Sequence, residues 1–539
     1  MRPTTNQARP LSGLARVLDV PTDPADPAEP ADLDEVMVTG ITHDSRQVLP
    51  GDVYAALPGS RAHGADFAAQ AAAAGAVAIM TDTAGHRRAA ATGLPVLVVG
   101  RPRDVLGRAA AWVYGAPAED LTLIGVTGTS GKTTTAYLLE AGLRAAGVHT
   151  GIVGTVETRI GDDRLPSTLT TPEATDLHAI FAMMREQGVG AAAMEVSSHA
   201  LEQGRVGGAH YDVAIFTNLS QDHLDYHVTM DDYFAAKVRL FTPPYSRVGV
   251  VNIDDEYGRL LADKADIPIT TFSVRGNPAA DWRAEDVRLG ADGGVFRVVG
   301  PGGIEADATI QLAGAFNVAN ALAAIVALVE AGISLPTAVH GVGALAGVPG
   351  RLQRVDEGHD FVTLVDYSHK PAAVEAVLTA LRPVTEGRLF VVLGCGGDRD
   401  KGKRPLMGEA AARLADVAVF TDDNPRSEDP FAILAAMVEG VLKVPQRERA
   451  HVIVEPDRAA AIALAIGRAR RGDVIVVAGK GHEQGQYVGD EIVPFDDRDV
   501  VRRALRERPE RTEGTEDTER PDRADRADRT DRATGKDRA

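Results

Sequence analysis

Cysteine is nearly absent: Cys395 is the only one in 539 residues, which excludes an internal disulfide and any cysteine-based zinc site. Basic residues fall short of acidic ones, 57 against 76, so the formal net charge of −19 does not suit a nucleic-acid or anionic-membrane partner. An anionic ligand must then be held by local groups of lysine and arginine. No apolar run is long enough to cross a bilayer, and no apolar opening segment follows a basic start, so a cytoplasmic protein without membrane contact is expected. Large apolar residues are missing beyond Leu505, where nearly charge-balanced Asp-Arg units repeat; residues 506–539 read as a disordered charged tail. Residues 1–34, with the proline- and acid-rich PTDPADPAEPAD at 21–32, read as a flexible opening segment.

Between those ends, 44 % hydrophobic residues can fill several cores, and the length suggests about three domains. Strand-like runs alternate with helix-like ones, the pattern of an α/β protein with mostly parallel sheets. Units are expected over 35–118, 119–347 and 348–505. The first holds a strand at 96–99. The second holds strands AAAMEV (191–196), VAIFT (213–217) and VGVVNI (248–253). GVPGRLQRV (347–355) reads as a hinge, because Pro349-Gly350 interrupts the alternation. Strands FVTLVD, LFVVLG, VAVFTDD and DVIVVAG follow in the third unit.

One further absence is local. A standard phosphate loop, GxxxxGK[ST], needs glycine at position 126, and LTLIGVTGTSGKTTTAYLLE has Val126 there. The physics of a phosphate site is nonetheless present. An apolar strand at 121–126 feeds a helix that begins at Lys132 and is expected to stop at Gly147. Gly128 and Gly131 let several N–H groups of Thr129, Ser130 and their neighbours turn inward, Lys132 adds a point charge, and Thr133 offers a hydroxyl to a magnesium ion. A plain glycine-rich turn at a strand-to-helix junction is the alternative.

Polar clusters stand at the ends of other strands, where ligands gather in such sheets. Glu195 ends AAAMEV, and TNLSQDHLDYH after VAIFT supplies Asp222, His223, Asp225 and His227. A carboxylate and an imidazole beside a phosphate-loop threonine suit a magnesium site that screens triphosphate charge. Singly, each residue reads equally as a solvated loop side chain.

GVTGTSGKTTT, AMEVSSHAL, TNLSQDHLDYH with YFAAKVRLF, GAFNVANALAA, DYSHKP, GCGGDRDKGKRPLM, DDNPR and GKGHE, in this order, resemble the Mur ligases of bacterial cell-wall synthesis. The resemblance spans about residues 42–483 and is nearest to the MurE type, the UDP-N-acetylmuramoyl-tripeptide synthetases. That family uses GTxGKTT in place of the standard loop. The resemblance implies three domains: an N-terminal UDP-substrate domain, a central P-loop ATPase-type parallel sheet, and a C-terminal Rossmann-like domain that binds the amino acid.

It also implies a reaction. ATP activates a carboxylate as an acyl phosphate, and an amine displaces phosphate to give an amide, in peptidoglycan biosynthesis. Gly128, Thr129, Ser130, Gly131, Lys132, Thr133, Thr134, Asn320, Arg351 and Asp366 would bind ATP. Thr133, Glu195 and His223 would hold Mg2+, with Lys237 carried as a carbamate (N6-carboxylysine). Lys132, Glu195, His223 and Lys237 would then form the catalytic set. Read from spacing alone, Lys237 is an ordinary lysine on an amphipathic helix.

UDP-N-acetylmuramoyl-L-alanyl-D-glutamate would be held by His43, Ser45, Ser60, Arg61, Ala62, Thr170, Thr171, Ser197, Gln203 and Arg205. The amine would be diaminopimelate, meso or LL, bound by Arg399, Asp423, Asn424, Pro425, Arg426, Gly479 and Glu483, with Asp423 and Asn424 at the distal ammonium. A planar guanidinium can grip the distal carboxylate, which lysine lacks, by two parallel hydrogen bonds. A monomer is expected.

Other readings are a lysine-adding Mur ligase, a folylpolyglutamate-synthetase-like ligase, a P-loop kinase or GTPase, and a noncatalytic nucleotide-binding regulator. The kinase or GTPase reading is disfavoured by the loop spacing and the missing NKxD. A folylpolyglutamate synthetase should lack DNPR, and a regulator need not keep Glu195, His223 and Lys237 together.

Overall fold

The computed structural model describes residues 2–20, 32–165, 169–224, 226–290 and 292–508. Residues 21–31 and 509–539, most of the two segments expected to be unstructured, lie outside the described residues, as does Asp225. No helix among the described residues is long and apolar enough to cross a membrane.

The opening segment departs from expectation. Leu11–Val17 is a helix whose Leu11, Leu14 and Ala15 are fully buried in one core with Val53, Met80 and Leu106, and Arg9–Pro10 pairs with Met37–Val38. The apolar spacing Leu11, Leu14, Leu18 is that of one helix face; the proline-rich run just after it hides that signal. The boundary expected at residue 35 therefore falls inside a packed unit. Its sheet is parallel, Gly40–Thr42, Asp52–Ala55, Ala78–Thr81 and Val96–Val98 in that order.

The central sheet has eleven strands. Its middle is parallel, in the spatial order Thr150–Val153, Ala191–Glu195, Thr122–Thr127, Tyr211–Phe216, Ser246–Asn252 and Ile269–Ser273. The strand from the loop glycines thus lies between the Glu195 strand and the Phe216 strand. Antiparallel arms not expected from the alternation extend both edges: Thr158–Ile160 with Asp163–Leu165, and Trp282–Gly290, Gly293–Val299 and Glu305–Ile310. The helix Ala315–Glu330 is apolar almost all round because it is covered on both sides, by the sheet and by the helix Lys132–Ala145. A Cβ on Gly142 would come within 2.2 Å of Leu328 Cδ1, so glycine sets how closely those two helices approach.

The last sheet runs Gln353–Arg354, Val362–Asp366, Val474–Ala478, Leu389–Leu393, Val417–Phe420 and His451–Val454, parallel except for the first pair. All four expected strands are present. The strand His451–Val454 and the hairpin Gly485–Val488 with Glu491–Pro494 are additions to them. The carboxyl ends of the strands put Asp366, Gly394, Asp422 and Gly479 on one rim, the position at which open α/β sheets take ligands.

Candidate active site

The phosphate-type loop closes the strand Thr122–Thr127 through Gly128 (φ +147°) and Gly131 (φ +89°), and the helix starts at Lys132 and ends before Gly147 (φ +77°), as expected. A Cβ on Gly128 would lie 2.0 Å from Thr217 Oγ1 and one on Gly131 2.4 Å from Asn320 Oδ1, so both approaches need glycine. Ser130 N donates to Asn218 Oδ1 (3.0 Å), and Thr217 Oγ1 donates to Ser130 O (2.6 Å). Thr129 Oγ1 lies 3.1 Å from Tyr233 Oη, while Thr133 and Thr134 are buried in the first helical turn.

Two lysines, Lys237 buried and Lys132 half-buried, converge on this loop. Lys132 Nζ donates to Gly128 O (2.9 Å) and Thr129 O (3.0 Å), and Lys237 Nζ donates to the same Gly128 O at 3.0 Å. Burial pushes both amines below the usual lysine range; for Lys237 the drop is large, and the charge of Lys132 adds to it. Two amines facing one carbonyl gather donors where an anion can be held.

Glu195, 1 % exposed, ends its strand opposite Val126. Its carboxylate accepts from Thr155 N (2.8 Å) and Thr155 Oγ1 (3.1 Å), and Thr155 Oγ1 lies 3.0 Å from Thr170 Oγ1. His223 adopts a left-handed backbone (φ +53°) with Nε2 3.3 Å from Asp222 Oδ2. Burial outweighs that carboxylate and takes its pKa down to about 4, so the ring is neutral at pH 7. Asp222 pairs in turn with Lys370, which joins this loop to the C-terminal unit. The ring of His227 stacks on Tyr233, and its Nε2 meets Ser198 Oγ at 2.9 Å.

The expected magnesium set is a hydroxyl, a carboxylate, an imidazole and Lys237 as a carbamate. Among the described residues no three His, Cys, Asp or Glu side chains converge as metal ligands. Lys237 as an amine donates to Gly128 O and would offer a metal oxygen ligands only as the expected carbamate. The hydroxyl of Thr133 accepts from Arg351 Nη2 at 3.2 Å. The oxygen chemistry fits a hard cation: the buried Glu195 carboxylate, bonded by Thr155, and the Thr133 hydroxyl.

Arg351 also lies over the Tyr367 ring (4.5 Å), and Asp366 accepts from Leu352 N (2.7 Å) and Ser368 N (2.8 Å), which fixes the hinge to the C-terminal sheet. Asn320 is buried and donates to Asn317 Oδ1 (2.9 Å) behind Gly131. Asn320 and Arg351 thus reach the loop from two units, and Asp366 holds the hinge next to Arg351.

On the C-terminal rim, Arg426 also has a left-handed backbone (φ +52°), bonded on both sides to the hairpin: its N donates to Tyr487 O (2.9 Å) and its O accepts from Gly489 N (2.8 Å). Its guanidinium donates to Gly397 O (2.8 Å) and lies 5.6 Å from the Tyr487 ring centroid. Pro425 packs its carbonyl so closely on Gly397 that a Cβ there would sit 1.9 Å away. Arg399 is exposed, and its Cγ and the Arg426 Nη1 both flank Gly396, at 3.8 and 3.0 Å from where a Cβ would be. Asp423 and Asn424 are buried beside Gly479 (φ +116°), whose missing Cβ would be 3.0 Å from Asp423 Oδ2. Asn424 Oδ1 accepts from Lys480 Nζ (2.9 Å) and Tyr487 N (3.0 Å), and its Nδ2 donates to Glu483 Oε2 (3.0 Å). The only capacity left on that amide is an N–H, which suits a carboxylate rather than the ammonium expected from the sequence.

The acceptor side divides in two. Thr171 Oγ1 donates to Glu195 O (2.8 Å) and accepts from Ser197 N (3.0 Å), and Ser197 Oγ caps the following helix. Arg205 bonds Gln203 Oε1 (2.6 Å), Thr171 O (3.1 Å) and Glu173 (3.0 Å). His43 Nδ1 meets Thr175 Oγ1 (3.0 Å), and Ser45 donates to Gln70 (3.3 Å). By contrast, Ser60, Arg61 and Ala62 sit on an exposed loop and, among the described residues, hydrogen-bond none of the others.

Residues that the sequence reading passed over are Thr155, Tyr233, Lys370, Lys480 and His482. All but Thr155 lie inside the quoted motifs YFAAK, DYSHKP and GKGHE, so the signal was present without a role attached. His482 packs on the hinge, where a Cβ on Gly350 would lie 2.3 Å from His482 N, while its neighbour Glu483 bonds Asn424. Two consecutive residues therefore touch the hinge and the DNPR side.

Residues 37–114 match the Mur ligase family catalytic domain, 126–328 the Mur ligase middle domain and 350–481 the Mur ligase glutamate ligase domain. The chain belongs to the Mur ligase family. Within it, the chain is similar to the UDP-N-acetylmuramoyl-L-alanyl-D-glutamate--2,6-diaminopimelate ligase of Streptomyces avermitilis, 59 % identical over 94 % of this chain and 98 % of that protein. It is also similar to a solved structure of a UDP-N-acetylmuramoyl-L-alanyl-D-glutamate--2,6-diaminopimelate ligase, with TM-score 0.66, 33 % identity, and 93 % and 99 % of the two chains covered. The MurF ligase of Thermotoga maritima, solved with ADP, shares the fold at TM-score 0.57 and 19 % identity, over 87 % and 96 % of the chains. Mur ligases are ATP-dependent amide-forming ligases, and the expected three-unit α/β architecture is the one found.

Proposed function

We propose that this Mur ligase joins diaminopimelate to UDP-N-acetylmuramoyl-L-alanyl-D-glutamate in the cytoplasm, with ATP as co-substrate, in peptidoglycan synthesis. The observation that carries the reading is the hinge contact: Arg351 reaches Thr133 of the phosphate loop at 3.2 Å, and its neighbour Gly350 packs on His482, next to the Glu483 that bonds Asn424. The name and identity of the Streptomyces relative support the same substrates.

In this reading a substrate carboxylate oxygen attacks the γ-phosphorus and ADP leaves. The amine nitrogen then attacks the acyl carbon, phosphate leaves and the amine gives up a proton. Lys132 turns from the loop carbonyls to the phosphates, and the N–H groups at the start of the helix Lys132–Ala145 add their dipole. Arg351 supplies a further cation from the hinge. Glu195 and Thr133 would hold Mg2+, which when bound screens the negative charge of phosphate and carboxylate.

Lys237, a fully buried amine whose pKa burial lowers, is suited to take up CO2 as a carbamate, N–C bond formation releasing one proton; the product would be anionic and able to face Lys132. Arg205, Gln203, Ser197 and Thr171 would receive the muramoyl dipeptide. Arg426, Arg399 and the free Asn424 N–H would take the distal carboxylate of diaminopimelate, with Glu483, Asp423 and Gly479 at its ammonium.

ADP release tests this reading. It should require both the muramoyl dipeptide and diaminopimelate. Release with neither present would make the protein a simple ATPase and end the proposal.

A further inference from the structure

Lys480 is 0 % exposed, yet it carries an amino group into the C-terminal pocket wall. Its Nζ donates to Asn424 Oδ1 (2.9 Å), Gly485 O (2.6 Å) and Glu483 Oε2 (3.3 Å), and Asp423 Oδ1 lies 3.8 Å away. Burying a lysine is unfavourable unless its donors are met, and here three acceptors meet its three hydrogens. Those acceptors belong to the DNPR loop, to the GKGHE turn and to the start of the hairpin that bonds Arg426. One side chain thus ties together three of the segments that line the pocket.

The consequence is chemical as well as mechanical. An asparagine amide can present either its oxygen or its N–H groups, and a 180° turn exchanges them at little intrinsic cost. With Lys480 and Tyr487 N both donating to Oδ1, the turned amide would set N–H groups against two donors. The amide is therefore locked with Nδ2 toward Glu483 and the pocket.

We infer that Lys480 is a positioning residue for amino-acid selection: it fixes Asn424 as a donor and Glu483 as its partner, so that the pocket meets a distal carboxylate without touching the substrate itself. This inference rests on the proposed diaminopimelate-ligase function. It concerns how the pocket is set, not which reaction follows.

The test uses the full-length protein as wild type, Lys480→Met and Lys480→Gln. Methionine keeps the stem and loses all donors; glutamine restores one. In steady-state assays of ADP release with each substrate varied in turn, Lys480→Met should raise KM for diaminopimelate about tenfold, the scale of one hydrogen bond to a charged group. Its KM for ATP and for the muramoyl dipeptide should stay within about twofold, and its preference for diaminopimelate over lysine should shrink, as expected when Asn424 is free to turn. Lys480→Gln should recover part of the lost KM.

Equal rises in all three KM values, unchanged kinetics, no recovery in Lys480→Gln, or loss of the folded melting transition in both variants would make Lys480 a purely structural cation and overturn the inference. Failure of the underlying function is read separately: wild type itself would then show no diaminopimelate-dependent ADP release.

Discussion

Gly131→Ala separates the phosphate-loop account from a general effect of helix-end strain. Gly131 has φ +89° and a Cβ there would meet Asn320 Oδ1 at 2.4 Å, whereas Gly147, two residues beyond the last residue of the same helix, has φ +77° and nothing within 4 Å of its Cβ position. Both substitutions force alanine into the left-handed region, at about 1–2 kcal/mol. Only Gly131→Ala must also displace a buried amide, at about 1 kcal/mol more for an off-rotamer shift. Asn320 is held by Asn317, so the loop yields instead, and Ser130 N and Lys132 N move from their positions at the helix start.

If that strain of about 2–3 kcal/mol is released only in a nucleotide-incompatible loop, ATP affinity falls about 30- to 150-fold. Calorimetric titration with ADP and with a nonhydrolysable ATP analogue measures it, beside a thermal melt of each variant. Gly147→Ala should lower the melting temperature slightly and leave nucleotide affinity unchanged. Nucleotide affinity within twofold of wild type in Gly131→Ala, or an equal loss in Gly147→Ala, would refute the reasoning.

Two further outcomes follow from the buried ionisable groups. His178 is fully buried, its Nε2 bonded to Gly207 O (2.9 Å), and burial takes its pKa from 6.5 down to about 4. The unfolded chain therefore binds that proton first as pH falls, so its stabilising contribution, present above pH 6.5, is lost between pH 6.5 and 4, by about 3 kcal/mol in full. Melting curves from pH 7.5 to 4.5 should fall less steeply for His178→Gln than for wild type; parallel curves would contradict the assignment. For Lys237, a carbamate resonance should appear in 13C NMR with labelled bicarbonate and vanish in Lys237→Met, whose kcat should drop by about 100-fold or more for loss of a charged group facing the reacting phosphate. A resonance that survives the substitution would belong to another amine.

The sequence made the loop legible because its signals are local: an apolar strand, two glycines at positive φ and a helix start at Lys132 lie within one short segment. The strands of the C-terminal unit were legible for the same reason. Longer-range features were not. The antiparallel strands Gly293–Val299 and Glu305–Ile310 extend an edge that alternation cannot foretell, and the opening helix Leu11–Val17 is stabilised by partners such as Val53 and Leu106 that are distant in sequence.

At the site, motif membership pointed to Asn424 and Arg426, but not to the direction of the Asn424 amide, which is set by Lys480 and Tyr487 across the turn and hairpin. Thr155, which holds Glu195, follows a strand in a stretch with no motif. Ser60, Arg61 and Ala62 matched a pattern, yet the fold leaves them on an exposed loop.

The most direct measurement of the central claim is an amino-acid panel of meso-diaminopimelate, LL-diaminopimelate and L-lysine, run with ATP and the muramoyl dipeptide on wild type and on Arg426→Ala. Wild type should favour a diaminopimelate over lysine by about 10²- to 10³-fold in kcat/KM, as a site built to bind a substrate's polar group rejects an analogue lacking it. Arg426→Ala should lose most of that preference. Efficient use of lysine by wild type, or an unchanged preference in Arg426→Ala, would contradict the account.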